Sequence, residues 1–97
     1  MITQARFLEE VRMVLTDVSR QLVDRRAGKD GFGTVEELEA IEAELSALEA
    51  SAVSGSLPPK GQRYLTAAWI VIDSWPLDHG LGPRICRLED LYQRKLP

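Results

Sequence analysis

Tyr64-Leu65-Thr66-Ala67-Ala68-Trp69-Ile70-Val71-Ile72-Asp73-Ser74-Trp75 is the stretch on which the fold of this chain turns. Its side chains are nearly all apolar, so periodicity alone does not choose between a buried helix and a buried strand. Trp, Ile and Val in its second half suit a strand. Its length, the pair Ala67-Ala68, and Pro58-Pro59 placed in front to open a helix favour the helix. Taken as a helix, the segment is expected to be the central member of a bundle, with Trp69 in the core.

The flanking sequence agrees with a helical chain. Upstream, from Thr3 to Arg26, Phe7, Val11, Val14, Val18 and Leu22 recur at spacings of three and four. That is an amphipathic helix with one buried face, and Gly28 is a plausible stop. Ala27 to Gly33 is a glycine-rich loop with Phe32 expected on the core. It lacks Gly-x-x-x-x-Gly-Lys-Ser/Thr and a preceding strand, so a phosphate-binding loop is rejected.

Thr34-Val35-Glu36-Glu37 then reads as a capping box. The helix it opens runs to about Val53 with Leu38, Ile41, Leu45 and Leu48 on one face. Ala40, Ala43, Ala47 and Ala50 lie roughly opposite, with Glu residues in the seams. Small side chains permit close approach, so Ala40, Ala43 and Ala47 can pack against another helix or a second subunit as a homodimer face, or else form a solvated surface.

Downstream, Pro76 to Pro83 is a connection, and a last amphipathic helix carries Ile85, Leu88, Leu91 and Tyr92 inward. The expected fold is all-α, a small antiparallel bundle of four helices spanning residues 1–97 as one domain.

A chain of 97 residues closes a single modest core. Its longest apolar run, Ala67 to Ile72, is far below the roughly 18 residues of a membrane span, so no membrane partner is expected. No secretory signal is recognisable at Met1–Arg6, and Cys86 is alone. Both fit a cytoplasmic location. The net charge of −3 hides an asymmetry: residues 30–59 hold seven carboxylates and not one Lys or Arg. The compact basic group Arg25, Arg26 and Lys29 sits at a helix end, where it complements the helix dipole. Nucleic acid is therefore disfavoured as a partner, and a basic protein surface is not.

Little chemistry is available. His79 is the single histidine and lies in a turn, and Cys86 has no histidine at a readable spacing to activate it. One Cys and one His do not complete a zinc site, and Glu-x-x-His is missing from the chain. No enzyme activity and no cofactor are expected. Trp75 stands between Asp73 and Asp78 where the third helix ends. It is either a helix-end tryptophan closing the core or an aromatic recognition point flanked by acids.

The order Tyr64 to Trp75, a short break, then an apolar-acidic helix with Leu88, Asp90 and Tyr92 resembles a known family. It is similar to the small all-helical immunity proteins that protect bacteria from NAD(P)-glycohydrolase toxins delivered by type VI secretion. In that family the third helix follows Leu-Thr-Leu-Gly-x-Ile-Ala-Val, with a Glu and an aromatic near its end. Leu65, Thr66, Ile70 and Trp75 fit, Ala68 stands in for the glycine, and Asp73 or Ser74 stands where the Glu would be. The resemblance implies a non-enzymatic inhibitor that binds a cognate protein toxin and blocks its active site. Charge and turn position together with that resemblance place the expected partner surface at Glu36, Glu37, Glu39, Asp73, Trp75 and Asp78. The alternative is a helical adaptor or secretion chaperone that binds an extended protein segment.

Overall fold

The computed structural model describes residues 1–75 and 80–97. They form four α-helices and no strand: α1 (Gln4–Arg26), α2 (Val35–Ser54), α3 (Thr66–Ser74) and α4 (Leu81–Asp90). A 3-10 turn (Lys60–Gln62) precedes α3, and a π-helical turn (Leu91–Lys95) continues α4.

α1 begins where Thr3 Oγ1 accepts the Arg6 N–H at 3.1 Å, and it buries Phe7, Val11, Val14, Val18 and Leu22. Those are the five positions its period singles out. α2 begins at the capping box: Thr34 Oγ1 accepts the Glu37 N–H at 3.1 Å, and Glu37 Oε1 accepts the Thr34 N–H at 2.9 Å. Its buried face is Leu38, Ile41, Leu45 and Leu48, extended by Ala52, and Gly55 ends it in the left-handed region. Phe32 is 39% exposed rather than covered by the core. Its carbonyl accepts from Gln21 Nε2, and its ring lies beside Gly80.

The register of cross-helix pairs shows that neighbours run antiparallel. Between α1 and α2, Arg12 meets Glu49, Ser19 meets Glu42, and Arg26 meets Glu39. Between α2 and α3, Glu44 bonds Thr66 while Glu37 bonds Trp75. Between α1 and the α4 end of the chain, Asp17 pairs with Arg84 and Phe7 stacks on Tyr92. In each set one number rises as the other falls. The bundle closes in the order α1, α2, α3, α4 and back to α1, with the core along its axis.

Three expectations need correction. Pro58-Pro59 does not open α3 directly; Pro59 caps the 3-10 turn, and the chain is extended again at Leu65. α4 starts at Leu81, so Pro83 lies inside its first turn and not in the connection. That costs nothing, because first-turn N–H groups have no intrahelical acceptor. Finally, α3 is a nine-residue flanking helix and not the central member. It buries Ala67, Ala68 and Val71 and leaves the other face uncovered, with Trp69 64% and Ile72 54% exposed. Apolar residues all round a helix do not ensure burial all round when only two helices flank it.

Candidate functional site

The acidic start of α2 and the end of α3 lie together, because Trp75 Nε1 donates to Glu37 Oε1 at 3.4 Å. The described members of the expected partner set, Glu36, Glu37, Glu39, Asp73 and Trp75, therefore share one end of the bundle, but they differ in what is left for a partner. Glu36 is exposed in the first turn of α2, and Asp73 is exposed in the last turn of α3. Glu37 is half-buried and accepts both the Thr34 N–H and the indole. Glu39 is exposed and pairs with Arg26 at 3.3 Å. Asp78 and His79 lie outside the described residues.

Trp75 is a core residue, only 6% exposed. Gly33 explains how it fits. The glycine has φ +83°, and a Cβ there would come within 2.5 Å of the indole. Glycine is needed twice over at this position, once for its backbone conformation and once for the room it leaves the ring. The indole is thus packed under the α1–α2 loop, and its side chain does not stand on the surface as a recognition point. Of the two readings the sequence allows, Trp75 is the helix-end tryptophan closing the core, and its indole is not part of the surface expected for a partner.

The basic group at the end of α1 is occupied in the same loop. Arg25 Nε donates to the Gly33 carbonyl at 3.1 Å, and its Nη1 donates to the Lys29 carbonyl at 3.0 Å. Arg26 pairs with Glu39, and Lys29 with Asp24 at 3.7 Å. These side chains hold the loop that seats Trp75.

Carboxylates also build the start of α3, which has no capping side chain of its own. Glu44 of α2 accepts the Thr66 and Ala67 N–H groups, each at 2.8 Å. Glu89 of α4 accepts the Leu65 N–H at 2.7 Å. Negative charge at a helix N-terminus satisfies orphan donors and complements the dipole. Most of the acidic stretch is therefore engaged within the bundle, and among the described residues of the expected set Glu36 and Asp73 are the exposed carboxylates with no bond to a neighbouring helix.

Sequence reasoning missed the exposed side chains of α3. Within 66–74, Ala67, Ala68 and Val71 share one face and Trp69, Ile72 and Asp73 the other, but both faces are largely apolar, so the period alone does not say which one is covered. Tyr64, 67% exposed, borders a groove of about 240 Å³ with Ala47, Leu48, Ser51, Pro58, Leu65 and Tyr92. Ala40, Ala43, Ala47 and Ala50 are all exposed, so none of the described helices covers the alanine face.

Cys86 is half-buried against the core, and burial followed by the nearby Glu89 charge pushes its thiol pKa up. Tyr92 is shifted the same way, chiefly by burial, with Arg63 opposing and Glu44 reinforcing. Among the described residues no group of three His, Cys, Asp or Glu is arranged to hold a metal ion, and no helix is long and apolar enough to cross a membrane. No protein-family model matches the chain, and no curated protein matches it.

Proposed function

We propose that this chain is an immunity protein, a non-enzymatic bundle that binds a cognate antibacterial toxin and blocks its active site. The toxin is a type VI-delivered NAD(P)-glycohydrolase, as the family resemblance of residues 64–75 and the following helix implies. The observation that carries the reading is the uncovered α3 face beside an acidic bundle end. Trp69 and Ile72 are exposed on a short helix, Asp73 is exposed on the same helix, and Glu36 is exposed at the end of the bundle where α3 stops. Dinucleotide-cleaving toxins keep basic groups near the substrate phosphates, and an inhibitor with an acidic end can occupy that field. Electrostatic complementarity then raises the association rate, and an aromatic contact slows dissociation. Blocking requires no chemistry from the inhibitor, so the reading places the protein in the toxin-producing cell's cytoplasm without cofactor or metal.

Co-expression with the toxin candidate encoded beside it tests this. Protection of cells, a one-to-one complex and loss of NAD(P)⁺ hydrolysis on adding the purified protein are expected. A neighbouring toxin that neither binds nor is inhibited would remove the reading and leave the adaptor in its place.

A further inference from the structure

We infer that the outer face of α3, formed by Trp69, Ile72 and Asp73, is a docking surface for a basic amphipathic segment of a partner protein. The inference rests on the protein-binding reading above and names the surface and the chemistry of its occupant. Trp69 and Ile72 are three residues apart on the helix, and Trp69 and Asp73 four apart, so all three share one face. Trp69 is 64% exposed although its neighbours Ala68 and Val71 are in the core. Trp69 and Asp73 stand about one helical turn apart on α3. A guanidinium or ammonium group set there meets the ring quadrupole and the carboxylate together, and Ile72 covers the apolar part of the same segment.

Charge selects the occupant. From Tyr64 through Pro83 the chain carries Asp73 and Asp78 and no Lys or Arg. Glu36 is exposed at the same end of the bundle, since the start of α2 meets the end of α3 through Glu37 and Trp75. A second copy of this chain fits poorly: a two-fold interface sets Asp73 against the same acid on the other side, and the nearby cations Arg25, Arg26 and Lys29 are already held by loop carbonyls, Glu39 and Asp24. A partner segment with apolar residues and Arg or Lys at helical spacing satisfies both parts of the surface.

The test uses the full chain and two amidated amphipathic peptides, one of Leu, Ala and Arg at helical spacing, the other with Glu at the Arg positions. Tryptophan fluorescence reads the contact, because Trp69 is exposed and Trp75 is buried. The Arg peptide is expected to bind and shift the Trp69 emission, with the Glu peptide inactive. Trp69→Ala should weaken binding at least about tenfold, and Asp73→Asn should weaken it and flatten its salt dependence. An unshifted emission with the Arg peptide, equal binding of both peptides, or equal binding by Trp69→Ala would overturn the inference. So would a dimer in solution that Trp69→Ala dissociates, which would make the occupant a second copy. The toxin reading fails separately. Peptide binding at Trp69 with no neighbouring toxin bound keeps this surface and removes that role; a toxin bound equally by wild type and Trp69→Ala keeps the role and removes this surface.

Discussion

Gly33 and Trp75 form a demanding contact, since the ring occupies the space where any other residue at position 33 would place its Cβ. The sequence shows Gly33 as one of three glycines in a loop, with nothing to set it apart from Gly28 or Gly31. Gly28 also has a positive φ, yet a Cβ there meets open space. Gly33→Ala should therefore destabilise the protein by about 2–4 kcal/mol, combining left-handed strain with overpacking against the indole. Gly28→Ala carries the strain without the clash and should cost roughly 1 kcal/mol. Urea unfolding of the two variants makes the comparison, and equal losses would show that the ring moves aside freely.

At the level of the helix, α3 shows how far a pattern carries. Residues 66–74 are helical by composition and length, yet the donors at their start are satisfied from elsewhere in the sequence. Glu44 lies 22 and 23 residues from the N–H groups it accepts, and Glu89 lies 24 from Leu65. No local signal reveals such a cap, whereas the Thr34–Glu37 box is visible because its partners are three residues apart. The same distinction divides the rest of the chain. The α1 and α2 stripes were legible because burial of an amphipathic face follows its own period. The exposure of Trp69 was not, because it depends on how many helices flank α3. Glu44→Ala should cost about 1–3 kcal/mol and fray α3 first, since it leaves two N–H groups without their acceptor. Glu44→Gln retains an acceptor for one of them and should lose less. Hydrogen exchange at Thr66 and Ala67 separates local fraying from a global loss, and unchanged exchange in Glu44→Ala would refute the cap. The alanine face of α2 gives a contrasting expectation. Ala43 is exposed, so Ala43→Leu should leave the stability of the chain within about 0.5 kcal/mol. A molar mass in solution that drops on this substitution would show that a second copy covers the face.

For the whole molecule, the seam between α1 and the end of the chain closes the bundle, and it carries Tyr92, a titratable group that reports on that closure at high pH. Phe7 and Tyr92 stack with ring centroids 5.6 Å apart, and the Ile2 N–H donates to the Lys95 carbonyl at 2.8 Å. Arg63 sits over the Tyr92 ring at 5.9 Å and also bonds the Pro58 and Pro97 carbonyls, so the link before α3 joins the same closure. Burial raises the pKa of Tyr92, and burial with Glu89 raises that of Cys86 on the preceding turn. Both shifts have one sign: the fold favours the protonated, neutral form. Their contribution to stability is fully present below the unfolded-state values, about 8.5 for a thiol and about 10 for a phenol. Above those values the unfolded chain releases protons that the folded chain keeps, so stability falls until the raised folded values are passed. Urea unfolding under reducing conditions should give a stability that declines above about pH 8.5. Cys86→Ala should remove the earlier part of the decline and Tyr92→Phe the later part, and the thiol should react slowly with alkylating agents at neutral pH. A decline of the same slope in the double variant would assign alkaline unfolding to other groups and detach it from this seam.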